Sequence, residues 1–72
     1  MTEQEMDDKA KVLSIIKTLY FENSKKPITV KTLHMNVKYL KPEKTAKILR
    51  WLVKDHLIKF DEANLIIEPI EK

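Results

Sequence analysis

The sequence predicts an α+β fold, mostly helical, with three helices and a C-terminal two-stranded β-hairpin in one domain of 72 residues. Three observations predict it. Apolar residues recur at three- and four-residue spacing over 3–22 and again over 42–55, the pattern of helices with one buried face. From 57 to 68 the period changes to two and β-favouring residues take over. Between these segments stand Asn, Ser and Pro, which interrupt a helix rather than continue it.

The first helix is expected over about 3–22. Thr2 and Glu5 have capping-box spacing, and Asp7 and Asp8 lie near the positive end of the helix dipole. Val12, Leu13, Ile16, Leu19 and Tyr20 share a face, with Ile15 at its edge and Lys9, Lys11 and Lys17 largely outside it. Residues 23–27 form a loop, since Pro27 disfavours helix in the residue before it. Ile28 suits a stub of strand. Thr29 is the expected N-cap of a short helix over about 30–36, with Leu33 pointing inward and Asn36 as its stop. Val37 to Lys41 form a turn. Pro42 fits a first helical position, and the third helix runs from there to about Asp55. On it Thr45, Leu49, Leu52, Val53 and His56 share the inward face, bordered by Ala46 and Ile48. Lys47, Trp51 and Lys54 point the opposite way, beside Lys44 and Arg50. Strands are expected over 57–60 and 64–68, with a turn at Asp61–Asn64. Pro69 ends the second strand, and the tail 70–72 is expected to fray. The chain has no glycine, so tight turns fall to Asn, Asp or His, or avoid positive φ.

Charge is distributed unevenly. Nine of the fourteen basic residues lie in 25–54 against the single acid Glu43, a formal +8, while both flanks are net acidic and the whole chain is only +3. A dense positive field with acidic borders suits a polyanion. Without cysteine there are neither disulfides nor thiolate metal sites. No apolar run approaches the roughly 18 residues of a membrane span, and the acidic N-terminus is no secretory signal, so a cytoplasmic protein without membrane contact is expected. His34 and His56 lack metal-ligand spacing, Ser14 and Ser24 lack a paired base, and no glycine-rich loop exists to cradle phosphate. No enzyme and no cofactor are implied. Tyr20, Phe21 and Met35 are expected in the core or at its edge.

The order helix, short helix, turn, longer helix, hairpin resembles a winged helix-turn-helix, and the segment from Val12 to Phe60 carries the likeness, about two thirds of the chain. Leu13, Ile16 and Leu19 match apolar positions of that family's first helix, and Ile28-Thr29-Val30 with Leu33 match the start of its second. Leu40-Lys41-Pro42-Glu43-Lys44-Thr45 stands where such proteins often carry Leu-Ser-Pro. Leu52-Val53-Lys54-Asp55-His56-Leu57-Ile58 resembles the Leu-x-x-x-Gly-Leu-Ile run that leads into the wing. His56 departs from the family's glycine, and the stretch between Leu33 and Pro42 is slightly longer than the tightest turn. The superfamily spans transcription regulators, parts of replicative helicases, small archaeal proteins and modules that bind only protein, so the fold does not fix the function.

The resemblance makes the helix at 42–55 the recognition helix, docked in the major groove of double-stranded DNA. Lys41, Lys44, Lys47 and Arg50 are then the groove-facing candidates, and Lys25, Lys26 and Lys31 the backbone clamps. Arg50 alone can form a guanine fork. The acidic tip Asp61-Glu62 argues against minor-groove insertion. Trp51, with Lys54, is the candidate interface residue. It has three placements open to it: on a base or sugar, on a partner protein, or folded back onto Ile48. The expected function is a transcription regulator or DNA-associated accessory factor. The alternative is a protein–protein interaction module, or a piece of a larger replication or transcription assembly, that dimerises or binds a partner through helix 1 or Trp51.

Overall fold

The computed structural model describes residues 2–70; of the tail expected to fray, Glu71 and Lys72 lie outside the described residues, while Ile70 is tied down by its amide donating to the Leu57 carbonyl at 3.0 Å. Helix α1 runs Glu3–Glu22. Its capping box forms as expected: the Glu5 amide donates to Thr2 Oγ1 at 3.2 Å, and the Thr2 hydroxyl donates to Glu5 Oε1 at 3.2 Å. Strand β1, Ile28–Thr29, leads directly into α2, Val30–Asn36. Thr29 caps α2 by accepting from the Thr32 amide at 3.1 Å. Helix α3 spans Pro42–Lys54, with Pro42 in its first turn. Strands β2, Ile58–Asp61, and β3, Ile66–Pro69, complete the chain.

The α+β class holds, but the sheet has three antiparallel strands in the order β1-β3-β2 rather than two. Ile67 sits in the middle, opposite Ile28 on one side and Phe60 on the other. β1 is held further by the Val30 amide donating to the Leu65 carbonyl at 2.9 Å. Pro69 is the last residue of β3, buried and opposite Ile58, where its missing amide ends the ladder. Lys59 and Glu68 face each other as an opposite-charge cross-strand pair.

One core lies between α1, α3 and the sheet. Val12 and Ile16 of α1, Leu33 of α2, Ile48, Leu49 and Leu52 of α3, and Ile58 and Ile67 of the sheet are all buried in it. Val37, in the turn expected between α2 and α3, is also buried and anchors that connection to the core. Phe21 and Met35 are not at the core's edge: they are 55% and 62% exposed. Asp8 is buried near the start of α1, and it accepts from Gln4 Nε2 at 3.1 Å. Among the described residues no helix is long and apolar enough to cross a membrane.

The turns correct a further expectation. Positive φ occurs at Ser24, Lys25, His56 and Leu65, of which only His56 belongs to the expected types. The first three build two helix endings of one kind. After α1, Ser24 N–H donates to the Phe21 carbonyl and Lys25 N–H to the Tyr20 carbonyl. After α3, His56 N–H donates to the Val53 carbonyl and Leu57 N–H to the Leu52 carbonyl. Both are Schellman endings, which satisfy orphan carbonyls by turning the residue after the cap left-handed. His56 therefore does what glycine usually does at that corner.

Candidate nucleic-acid interface

Helix α3 buries Thr45, Ile48, Leu49 and Leu52. Compared with the sequence expectation, it is rotated so that Ile48 moves from the border into the core. Val53 and His56 move out, with Val53 39% exposed and His56 exposed. Ile48 is completely buried in the core that α1, α3 and the sheet enclose. The rotation also carries Trp51 inward. Trp51 is half-buried and packs against the core.

The same rotation sorts the basic residues. Lys44 is half-buried, and its Nζ lies 3.4 Å from Glu5 Oε2 on α1. Lys47 Nζ lies 3.6 Å from the same oxygen. Both ammonium groups also sit over the Trp51 ring, Lys47 at 4.9 Å and Lys44 at 6.0 Å from its centroid. Glu5, Lys44, Lys47 and Trp51 thus form one cluster where the start of α1 meets α3, with the carboxylate and the aromatic face both drawing on the two cations. Partial burial raises the Glu5 pKa. Lys44, the Thr2 amide and Lys47 outweigh this and hold it below the usual value.

Lys41, Lys47, Arg50 and Lys54 are exposed along α3, and among the described residues Lys41, Arg50 and Lys54 take part in no ion pair. Lys41 occupies the N-cap without a side-chain capping bond, and its carbonyl accepts from Thr45 Oγ1 at 3.3 Å. Arg50 flanks a shallow groove of about 360 Å³ shared with Val53, Phe60, Asp61 and Glu62, so the hairpin's acids lie beside it. Those acids are partly committed. Asp61 accepts from the Ala63 and Asn64 amides and from Asn64 Nδ2, the last at 2.8 Å, and the Asn64 contacts hold its pKa below the usual value.

Lys25, Lys26 and Lys31 are exposed, but they do not join this cluster. Lys25 follows the far end of α1, where its Nζ sits 5.8 Å from the Phe21 ring. Phe21 lies sixteen residues beyond Glu5 on the same helix, roughly 24 Å along its axis. The sequence singled out Glu5 only as a capping residue. Its second role, as counter-ion to two lysines of α3, depends on how α1 crosses α3 and leaves no local trace. Lys9 is similar: it lies half-buried and pairs with Asp55 at the end of α3. In the turn between α2 and α3, the Tyr39 pKa is raised by partial burial and then by the Asp8 carboxylate.

No family model, no curated protein and no solved structure matches the chain.

Proposed function

We propose that the chain is a winged helix-turn-helix DNA-binding domain, serving as a transcription regulator or DNA-associated accessory factor, which docks α3 in the major groove. The observation that carries this reading is the outward ridge of α3, where Lys47, Arg50 and Lys54 continue from Lys41 at the helix start on a face that buries no apolar residue. The order of elements also supports it. A short helix and a turn anchored by Val37 precede α3, and a hairpin follows it. In such a docking Lys41, Lys47 and Lys54 meet phosphate while Arg50 reads a base edge.

Titration of labelled duplex from low to moderate salt tests the proposal. Each neutralised phosphate contributes a slope of about −0.9 in log K against log salt, so three or four lysine contacts give a slope near −3. Lys47→Ala and Lys54→Ala each lower affinity for every sequence and flatten that slope by about one. Arg50→Ala relaxes sequence preference, a change of about 1–3 kcal/mol between best and worst site. No binding at low salt, or binding indifferent to salt, rules the reading out.

A further inference from the structure

The outer side of α1 carries a second surface that the nucleic-acid reading does not use. An apolar groove of about 520 Å³ is lined by Met6, Lys9, Ala10, Leu13, Leu52 and Leu57. A second, of about 350 Å³, continues it through Ala10, Leu13, Ser14, Lys17, Thr18 and Phe21. The two share Ala10 and Leu13, so they form one trough along the helix. At its ends stand Met6, 58% exposed, and Phe21, 55% exposed. Large side chains left this open along one line are costly in water and mark a contact surface.

We propose that the trough is an interface between two copies of this chain, with the α1 helices packed antiparallel about a two-fold axis between Leu13 and Ser14. The spacing of the strip carries the assignment. About that centre Met6 falls opposite Phe21, Lys9 opposite Thr18, Ala10 opposite Lys17 and Leu13 opposite Ser14, so every α1 residue of the strip meets another, as an isologous contact requires. Phe21 of each copy is the knob, and the groove between Met6, Leu13 and Leu57 of the other is its hole.

Charge selects the same orientation. Glu3 and Asp7 lie at the start of α1, Lys17 lies in its second half and Lys25 just beyond its end, and all four are exposed. Antiparallel packing brings each copy's acids alongside the other's lysines. Parallel packing sets acid against acid and lysine against lysine, which is repulsive. The strip includes none of the exposed α3 residues Lys41, Lys47, Arg50 and Lys54, so the dimer stands or falls independently of the nucleic-acid reading.

Sedimentation equilibrium over a range of protein concentrations at low salt tests the proposal. The expected mass rises from the 8.5 kDa of one chain to twice that value. Phe21→Asp weakens association at least tenfold, with circular dichroism confirming that α1 remains folded. Asp7→Lys alone and Lys17→Glu alone each weaken it, and the double reversal restores it. A mass of 8.5 kDa at every concentration overturns the proposal and leaves the trough to a different occupant. A dimer indifferent to Phe21→Asp, or one that the double reversal fails to restore, overturns the antiparallel α1 interface.

Discussion

Glu5 shows how one side chain can set the strength of a whole face. Its carboxylate lies within 3.6 Å of both Lys44 and Lys47, two of the four lysines and arginines on α3 that the sequence aims at DNA. A phosphate that engages these ammonium groups competes with an internal anion already in place. The competition costs part of the Coulomb gain, so Lys44 and Lys47 are worth less to binding than a count of charges implies. Glu5→Gln keeps the side chain's shape and its capping contacts in modified form while removing the charge. The expected result is duplex affinity raised severalfold at low salt and a salt slope steeper by about one, since the lysines then release more counter-ion on binding. Fluorescence anisotropy of labelled duplex in both proteins measures this. Equal affinities would mean that the two lysines do not meet phosphate at all. Trp51 reports on the same cluster, because both cations sit over its ring and their displacement changes its emission.

At the scale of the elements, the endings are where a chain without glycine concentrates its backbone strain. His56 holds φ 58 and Leu65 φ 53, each with a Cβ crowding the following carbonyl. His56 is exposed, so its side chain contributes little packing to offset that cost. His56→Gly should therefore stabilise the protein by about 0.5–1 kcal/mol, net of the extra entropy glycine brings to the unfolded chain. In a domain of this size that is a rise of roughly 3–6 °C in Tm by thermal melting. His56→Val should lower it, since a branched Cβ tolerates the left-handed region worst. This corner also shows what the sequence could say. The Leu-x-x-x-His-Leu-Ile run located it, because the apolar positions on both sides are local and periodic. The caps at Thr2 and Thr29 were legible for the same reason. The pairing of β1 with β3 was not, since a two-residue strand has no period and its partners, Ile67 for Ile28 and Ile66 for Thr29, lie far along the chain. Nor was the rotation of α3: Val53 and Ile48 are both apolar, and only the shape of the space between α1 and the sheet chooses Ile48. The candidate site suffered most from that choice, because the same turn of the helix that buried Ile48 drew Trp51 and Lys44 toward α1 and left Arg50 and Lys54 outside.

For the molecule as a whole, a core of this size leaves only a small margin of stability, so the contacts that tie α1 to the rest matter. Two electrostatic links do so from positions one turn apart on α1: Lys9 with Asp55, and Glu5 with Lys44 and Lys47. Both require ionised carboxylates, as does the Asp61 carboxylate that closes the hairpin turn. Glu5 and Asp61 have folded-state pKa values depressed below 4.5 and 3.8 respectively. A depressed carboxylate binds its proton more weakly in the folded state than in the unfolded one. Its contribution is therefore fully present above the ordinary value and is lost as pH falls through the folded one. Tm should accordingly be flat from pH 7 down to about 5 and fall below about 4. Glu5 is partly buried and Asp61 is exposed, so each share is small, and their separation is the sharper test. Glu5→Gln should melt slightly below the unmodified protein at pH 7, and the two curves should converge once Glu5 is protonated in both states. Curves that remain parallel down to pH 2 would show that the charge of Glu5 contributes nothing to stability, and would leave the acid response to Asp61.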